Sequence, residues 1–287
     1  MLYNNDFVIS CERVRYMLIS GRDNPRIKRL GKLISSRKAR NEESCFVIEG
    51  MRGCVDAVEA FLDNKGIVLE GVYYVPEALD SFSDILPTER IAELPDDLRF
   101  EITREIADKV GNTETSQGLF AVARKADLPL EAGALMCGCK YLILDGLQDP
   151  GNLGTILRTA DAVGIDGIVL TGHCVDLYNP KVVRSTVGSL TRVRIFIEDN
   201  CEKVFRLFGE CGVETLAAVI SGGKLIQDQD FSAGGAVVIG NEGRGLPEEH
   251  AAMCSGRISI GMKGSINSLN TAAAATIFLW EMTRGDR

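Results

Sequence analysis

Three short segments hold residue types that bind anions, cofactor backbones or sugar hydroxyls, and each directly follows an apolar run. Residues 145–161 read DGLQDPGNLGTILRTAD. Asp149 or Asn152 can cap a helix there, and the first N–H groups of a capped helix attract an anion. Arg158 lies about a turn and a half into that helix. An ion pair with Asp161 at i,i+3 is the alternative use of its charge. Residues 240–247 read GNEGRGLP, with three glycines in six positions, so the backbone can turn tightly or approach a ligand closely. A plain turn into a helix at Pro247 is the alternative, and Glu242 is exposed unless something pairs with it. Neither a GK[ST] ending nor GxGxxG is present, so the usual phosphate and dinucleotide fingerprints fail. Residues 261–270 read GMKGSINSLN before a closing helix. Ser268 and Asn270 suit its cap, and small polar groups at a helix start also suit a nucleotide or ribose.

The elements that must position these loops follow from periodicity. Continuous apolar runs predict strands at 141–144, 167–170, 193–197, 215–220, 236–239 and 258–260. Helical spacing lies between them at 153–163, 201–211 and 271–282. Apolar strands alternating with helices predict a parallel sheet covered on both faces, with ligands at the carboxyl ends of its strands. Before Arg124 the pattern is mixed, with strands expected at 46–48, 68–75 and 119–123. Residues 87–97, rich in Pro and acid, read as a solvated loop or linker. The expected organisation is a first domain over 1–126, a linker over 127–138 and a second domain over 139–287.

The 287 residues suit two domains, and 45% hydrophobic with 25% charged residues excludes a disordered chain. The net charge of −8 argues against a nucleic-acid partner until its placement is read. From Arg13 to Arg40 ten basic residues face one acid, Asp23, leaving +9 there and −17 elsewhere. The nine cysteines form no disulfide framework and there is no signal peptide, so a reduced, cytoplasmic protein is expected. Cys137 and Cys139 have no second Cys/His pair at zinc spacing, and only two His occur, so no metal is expected. No run reaches the ~18 apolar residues of a membrane span, so no membrane is expected either.

Together the three segments resemble the motifs of the SpoU/TrmH family of RNA ribose 2′-O-methyltransferases, within the SPOUT superfamily. The matching stretches are NLGTILRTADA at 152–162, IGNEGRGL at 239–246 and ISIGMKGSINSLN at 258–270, in the family's order and spacing. Asn179-Pro180-Lys181, Arg184-Ser185 and Gly188 match more loosely, so the likeness spans 140–282. It implies an α/β fold: a trefoil-knotted parallel-sheet methyltransferase domain at the carboxyl end, binding S-adenosylmethionine at a homodimer interface. Periodicity shows no knot, and general topology rules disfavour one. The resemblance places cofactor contacts at Gly240, Ile260 and Leu269, largely through backbone, with Asn241, Gly243 and Met262 beside them. It places polar catalytic positions at Asn152, Arg158, Glu242, Ser268 and Asn270.

The earlier residues resemble the smaller α+β, L30e-like substrate-binding domain common in that family. The match runs through Ser35 to Arg40, FVIEG at 46–50 and Gln117-Gly118. RNA contacts are then expected at Arg37, Lys38 and Arg40, a solvated basic helix face being the alternative. Gly261 stands where the family often has Pro, and Ala272 to Ala275 replaces a more β-branched run. The chain stops soon after its last helix, without the extension of the tRNA guanosine-18 branch, which tips the expectation to ribosomal RNA, 23S with guanosine favoured. A tRNA ribose methyltransferase is one alternative, and a non-catalytic RNA-binding or ribosome-assembly protein is the other. In the implied reaction Arg158 grips a phosphate and stabilises the developing alkoxide, an RNA phosphate or water receives the proton, and Glu242 and Asn152 hold Arg158 or the ribose in place. A guanidinium titrates above about 12, which makes it a poor base.

Overall fold

A computed structural model describes residues 6–11, 14–84, 87–113, 115–265 and 268–286. The chain divides into two compact units, one of 1–126 with 178–191, the other of 127–177 with 192–287.

The first unit opens with β1 (Asp6–Cys11) and β2 (Val14–Ile19), an antiparallel pair not expected from the sequence. Helix α1 (Pro25–Ser35) is fixed at its start by Pro25 and by the Asn24 side chain, which accepts from the Arg26 N–H. Its buried residues Ile27, Leu30, Leu33 and Ile34 share one face. Next come α2 (Arg37–Glu43), β3 (Cys45–Glu49), α3 (Met51–Leu62), β4 (Leu69–Tyr74) and α4 (Pro76–Asp80). They are followed by β5 (Arg99–Ile102), α5 (Arg104–Val110) and β6 (Leu119–Arg124). The strands form one mixed sheet, β1-β2-β5-β4-β6-β3. Residues 87–97 are not a solvated loop. Thr88–Glu93 and Asp96–Leu98 are short 3₁₀ turns that bury Ile91 and Leu94, each 2% exposed. Surrounding acids and prolines hid these two anchors, which lie a single turn apart.

The basic stretch is more neutralised than its sequence suggests. Arg22 pairs with Glu105, Lys28 with Asp23, Arg29 with Glu43 and Glu70, and Lys38 with Glu42. Arg13 lies outside the described residues. Arg37 and Lys38 are exposed, but Arg40 is only 4% exposed, which corrects its expected place on the RNA-facing surface. Its guanidinium donates to the carbonyls of Leu33 at 2.7 Å and Ile34 at 3.1 Å. Those carbonyls lie in the last turn of α1, where acceptors lack helical partners and a cation is favoured. Arg40→Met should therefore cost about 2–3 kcal/mol of stability, since hydrogen bonds to a charged group are lost in a buried setting. Replacing Arg37 should cost almost none; equal melting temperatures for the two variants would refute the assignment.

The second unit begins with β7 (Leu128–Pro129), β8 (Lys140–Asp145), α6 (Pro150–Val163) and β9 (Gly167–Thr171). Helix α7 (Pro180–Thr186) returns to the first unit, where the tilted rings of Tyr178 and Phe46 pack with centroids 4.6 Å apart. Arg184 of α7 reaches the Glu49 carboxylate at 3.2 Å. The second unit resumes with β10 (Ile195–Ile197), α8 (Cys201–Glu210), β11 (Thr215–Ala218), β12 (Lys224–Leu225) and β13 (Gly235–Ile239). Helix α9 (Glu248–Met253), β14 (Gly256–Ser259) and α10 (Thr271–Thr283) complete it. Its sheet runs β12-β14-β11-β13-β8-β9-β10-β7, and every pairing is parallel. KYLILD, GIVLT and GAVVI are buried throughout, as central strands of a doubly covered parallel sheet must be. Among the described residues no helix is long and apolar enough to cross a membrane.

Candidate active site

The three predicted segments converge at the carboxyl ends of β8, β13 and β14. Asp149, not Asn152, caps α6: its carboxylate accepts the Asn152 N–H at 2.7 Å. That leaves the Asn152 amide free to point away from the helix. The anion at this helix start belongs to the chain itself. Glu242 accepts from the N–H groups of Asp149 at 2.8 Å and Gln148 at 3.0 Å, and from the Asn152 amide at 3.2 Å. Burial pushes the Glu242 carboxyl up, but the N–H donors of Asp149 and Gln148 outweigh it and hold the group below its usual value. The linkage is therefore intact at neutral pH and lost only as pH falls through that lowered value.

Asn270 takes its predicted capping role and also reaches Asn152. Its oxygen accepts from the N–H groups of Ala272 and Ala273, capping α10, while its amide donates to the Asn152 oxygen at 3.0 Å. Glu242, Asn152 and Asn270 thus form one relay of side chains from three separate segments. Ser268 lies in the cleft described next, with no hydrogen bond among the described residues.

The loop after β13 folds back on itself. Asn241 and Gly245 exchange backbone bonds of 3.1 and 2.9 Å, and the Asn241 oxygen accepts from Gly243 and Arg244. A Cβ at position 240 would sit 2.2 Å from the Leu246 nitrogen and 2.3 Å from the Gly245 carbonyl carbon, so only glycine fits. Beside this loop is a cleft of about 310 Å³. All six predicted cofactor positions, Gly240, Asn241, Gly243, Ile260, Met262 and Leu269, line it. So do Ala218, Val219 and Ile220 at the end of β11, and Leu246 and Phe278, which were not expected. The signal for the β11 residues was there, since they end a predicted parallel strand. Phe278 lies mid-helix and carried none. One wall is apolar side chain and the other is polar loop backbone, which suits a planar heterocycle with polar edges.

A second, wider cleft of about 1,090 Å³ is lined by Asn152, Glu242 and Asn270, together with Asp145, His173 and His250. The two clefts share Asn241, Glu242, Arg244 and Gly245 as a common wall. Arg158 lines neither. It is exposed on α6 and makes no ion pair among the described residues. Asp161, its alternative partner, is held by Arg192 at 2.7 Å.

Comparison with known proteins gives the family and the fold. Residues 140–280 match the SpoU rRNA Methylase family, and residues 24–121 match the MRM3-like substrate binding domain. The chain is 30% identical over 256 residues to the 23S rRNA (guanosine(2553)-2′-O)-methyltransferase RlmP of Bacillus subtilis, covering 88% of this chain and 93% of that one. It is 29% identical over 270 residues to a 23S rRNA (uridine(2479)-2′-O)-methyltransferase of Streptomyces viridochromogenes, covering 91% and 90%. An AdoMet-bound rRNA methyltransferase from Sinorhizobium meliloti superposes with a TM-score of 0.78 at 27% identity, covering 93% of this chain and 97% of that one.

Proposed function

The chain belongs to the SpoU rRNA methylase family, and on that premise we propose that it transfers a methyl group from S-adenosylmethionine to a ribose 2′-hydroxyl of 23S ribosomal RNA. The observation that carries this is the shared loop 241–245, which forms one wall of both the apolar cleft and the cleft holding the Glu242–Asn152–Asn270 relay. The absence of a Cβ at Gly240 lets the loop close into a cradle, and the residues around it fit the cofactor. Gly240, Ile260 and Leu269 hold it through backbone, with Asn241, Gly243 and Met262 at its edges. When bound there, S-adenosylmethionine supplies a methyl group made electrophilic by its sulfonium. The Asn152 and Asn270 amides orient the ribose, Glu242 fixes Asn152, and Ser268 lends a hydroxyl from the cofactor cleft.

Arg158 completes the site from a second copy of the chain. Two observations support this reading. Arg158 lies outside both clefts of its own chain. Helix α10 is also largely apolar, yet leaves Ala273 and Trp280 exposed seven residues apart, on one face. The trefoil knot belongs to the same proposal, supported by β13 lying between β8 and β11. In the first unit Arg37 and Lys38 are the RNA-facing cations; the cytoplasm is the compartment where this substrate is met.

Mapping 2′-O-methyl groups in total RNA with and without the gene tests the function. One 23S position should vanish, and a guanosine there follows the Bacillus subtilis relative. Methylation of purified tRNA but not rRNA would overturn the substrate. Calorimetry showing no S-adenosylmethionine binding would leave a non-catalytic RNA-binding protein instead.

A further inference from the structure

One buried carboxylate has no part in the mechanism so far. Asp145 ends β8 and is 4% exposed. Its Oδ2 accepts the Nδ1–H of His250 at 2.5 Å, and its Oδ1 accepts the Cys201 thiol at 3.7 Å. The fold makes room for this group deliberately placed at the cleft: a Cβ at position 172 would lie 2.0 Å from Oδ1, and Gly172 holds a φ of 62°. A carboxylate this deeply buried requires a partner. His250, from α9, supplies it, with 19% of its side chain exposed and its ring 6.3 Å from that of Phe205. His250 and Asp145 line the same cleft as Asn152, Glu242 and Asn270.

With Nδ1 engaged by Asp145, Nε2 is the ring nitrogen left to accept a proton. The other titratable groups around it are less suited to take a proton. Glu242 is held ionised by the N–H groups it accepts. Asp149 is occupied as the cap of α6. The His173 side chain is 86% exposed and pairs with Asp199 at 3.5 Å. Arg244 is a cation. Burial pushes up the thiols of Cys201 and Cys254, the latter to about 11, so both stay protonated beside the pair.

We infer that His250, oriented by Asp145, accepts the proton of the ribose 2′-hydroxyl; this rests on the methyltransferase reading above. The 2′-oxygen bonds to the methyl carbon as the donor's carbon–sulfur bond breaks, and that electron pair stays on sulfur. The hydroxyl proton passes to Nε2. The positive charge lost from sulfur thus reappears on the imidazolium, which Asp145 stabilises before the proton leaves to solvent. Asp145 is a positioning residue and His250 the proton acceptor.

The test is single-turnover methylation of unmodified rRNA by the full chain from about pH 5 to 9, a range spanning histidine titration. His250→Gln should slow the step by about 100-fold or more and remove the fall in rate on the acid side. Its affinity for S-adenosylmethionine, read by calorimetry, should be unchanged. Asp145→Asn should displace the acid limb, and added imidazole should partly restore His250→Gly. A His250→Gln rate within about 3-fold of wild type, an unaltered acid limb, or a parallel loss of cofactor affinity would overturn the inference. Failure of the wild-type protein to methylate rRNA would instead overturn the function itself.

Discussion

Arg158→Ala should leave S-adenosylmethionine binding intact and slow methyl transfer by about 100- to 1,000-fold, the usual cost of losing one donor to a developing oxyanion. Arg158 is exposed and lines neither cleft, so its loss disturbs no cofactor contact. Arg158→Lys keeps the charge but not the planar fork, and it should recover little of the rate. Wild-type turnover in the lysine variant would end the role assigned. Mixing variants tests whether the arginine serves a second copy. Arg158→Ala and Gly240→Ala chains combined in one two-fold dimer would form one intact site, giving about a quarter of wild-type activity after random exchange. An arginine acting within its own chain would give none.

Gly240→Ala should weaken S-adenosylmethionine binding by about 100-fold, or about 2.7 kcal/mol, while the sheet stays folded. The added Cβ meets backbone atoms at 2.2 and 2.3 Å, and no side-chain rotation relieves a clash with backbone. The Asn241–Gly245 turn must open, which removes one wall of the 310 Å³ cleft and also displaces Glu242 from the start of α6. Calorimetry with an unchanged dissociation constant would show that the cradle does not hold the cofactor.

Much of the second unit was legible because its signals are local. YLIL, GIVL and AVVI are short apolar runs, and a strand buried on both faces has no polar residue to interrupt it. Gly240, Asn152, Glu242 and Asn270 stood out because loops at strand ends concentrate glycines and small polar side chains. Other features had no local mark. Arg40 looked like its exposed neighbours Arg37 and Lys38, since the carbonyls that bury it belong to another helix. Ile91 and Leu94 were masked by acids and prolines. His250 lay 105 residues from Asp145, within an ordinary polar helix start.

The sequence by itself determined the parallel α/β domain and the three loops, because strand periodicity and loop composition are written residue by residue, and the motifs at 152–162, 239–246 and 258–270 carried the family resemblance. Only the tertiary structure decided which charges are used and by whom. Glu242 meets amides on a distant helix start, Asp161 is taken by Arg192 rather than Arg158, and Asp145 is buried against His250. A charge costs free energy to bury until a partner meets it, and in a parallel sheet those partners come from strands and loops far apart in the chain.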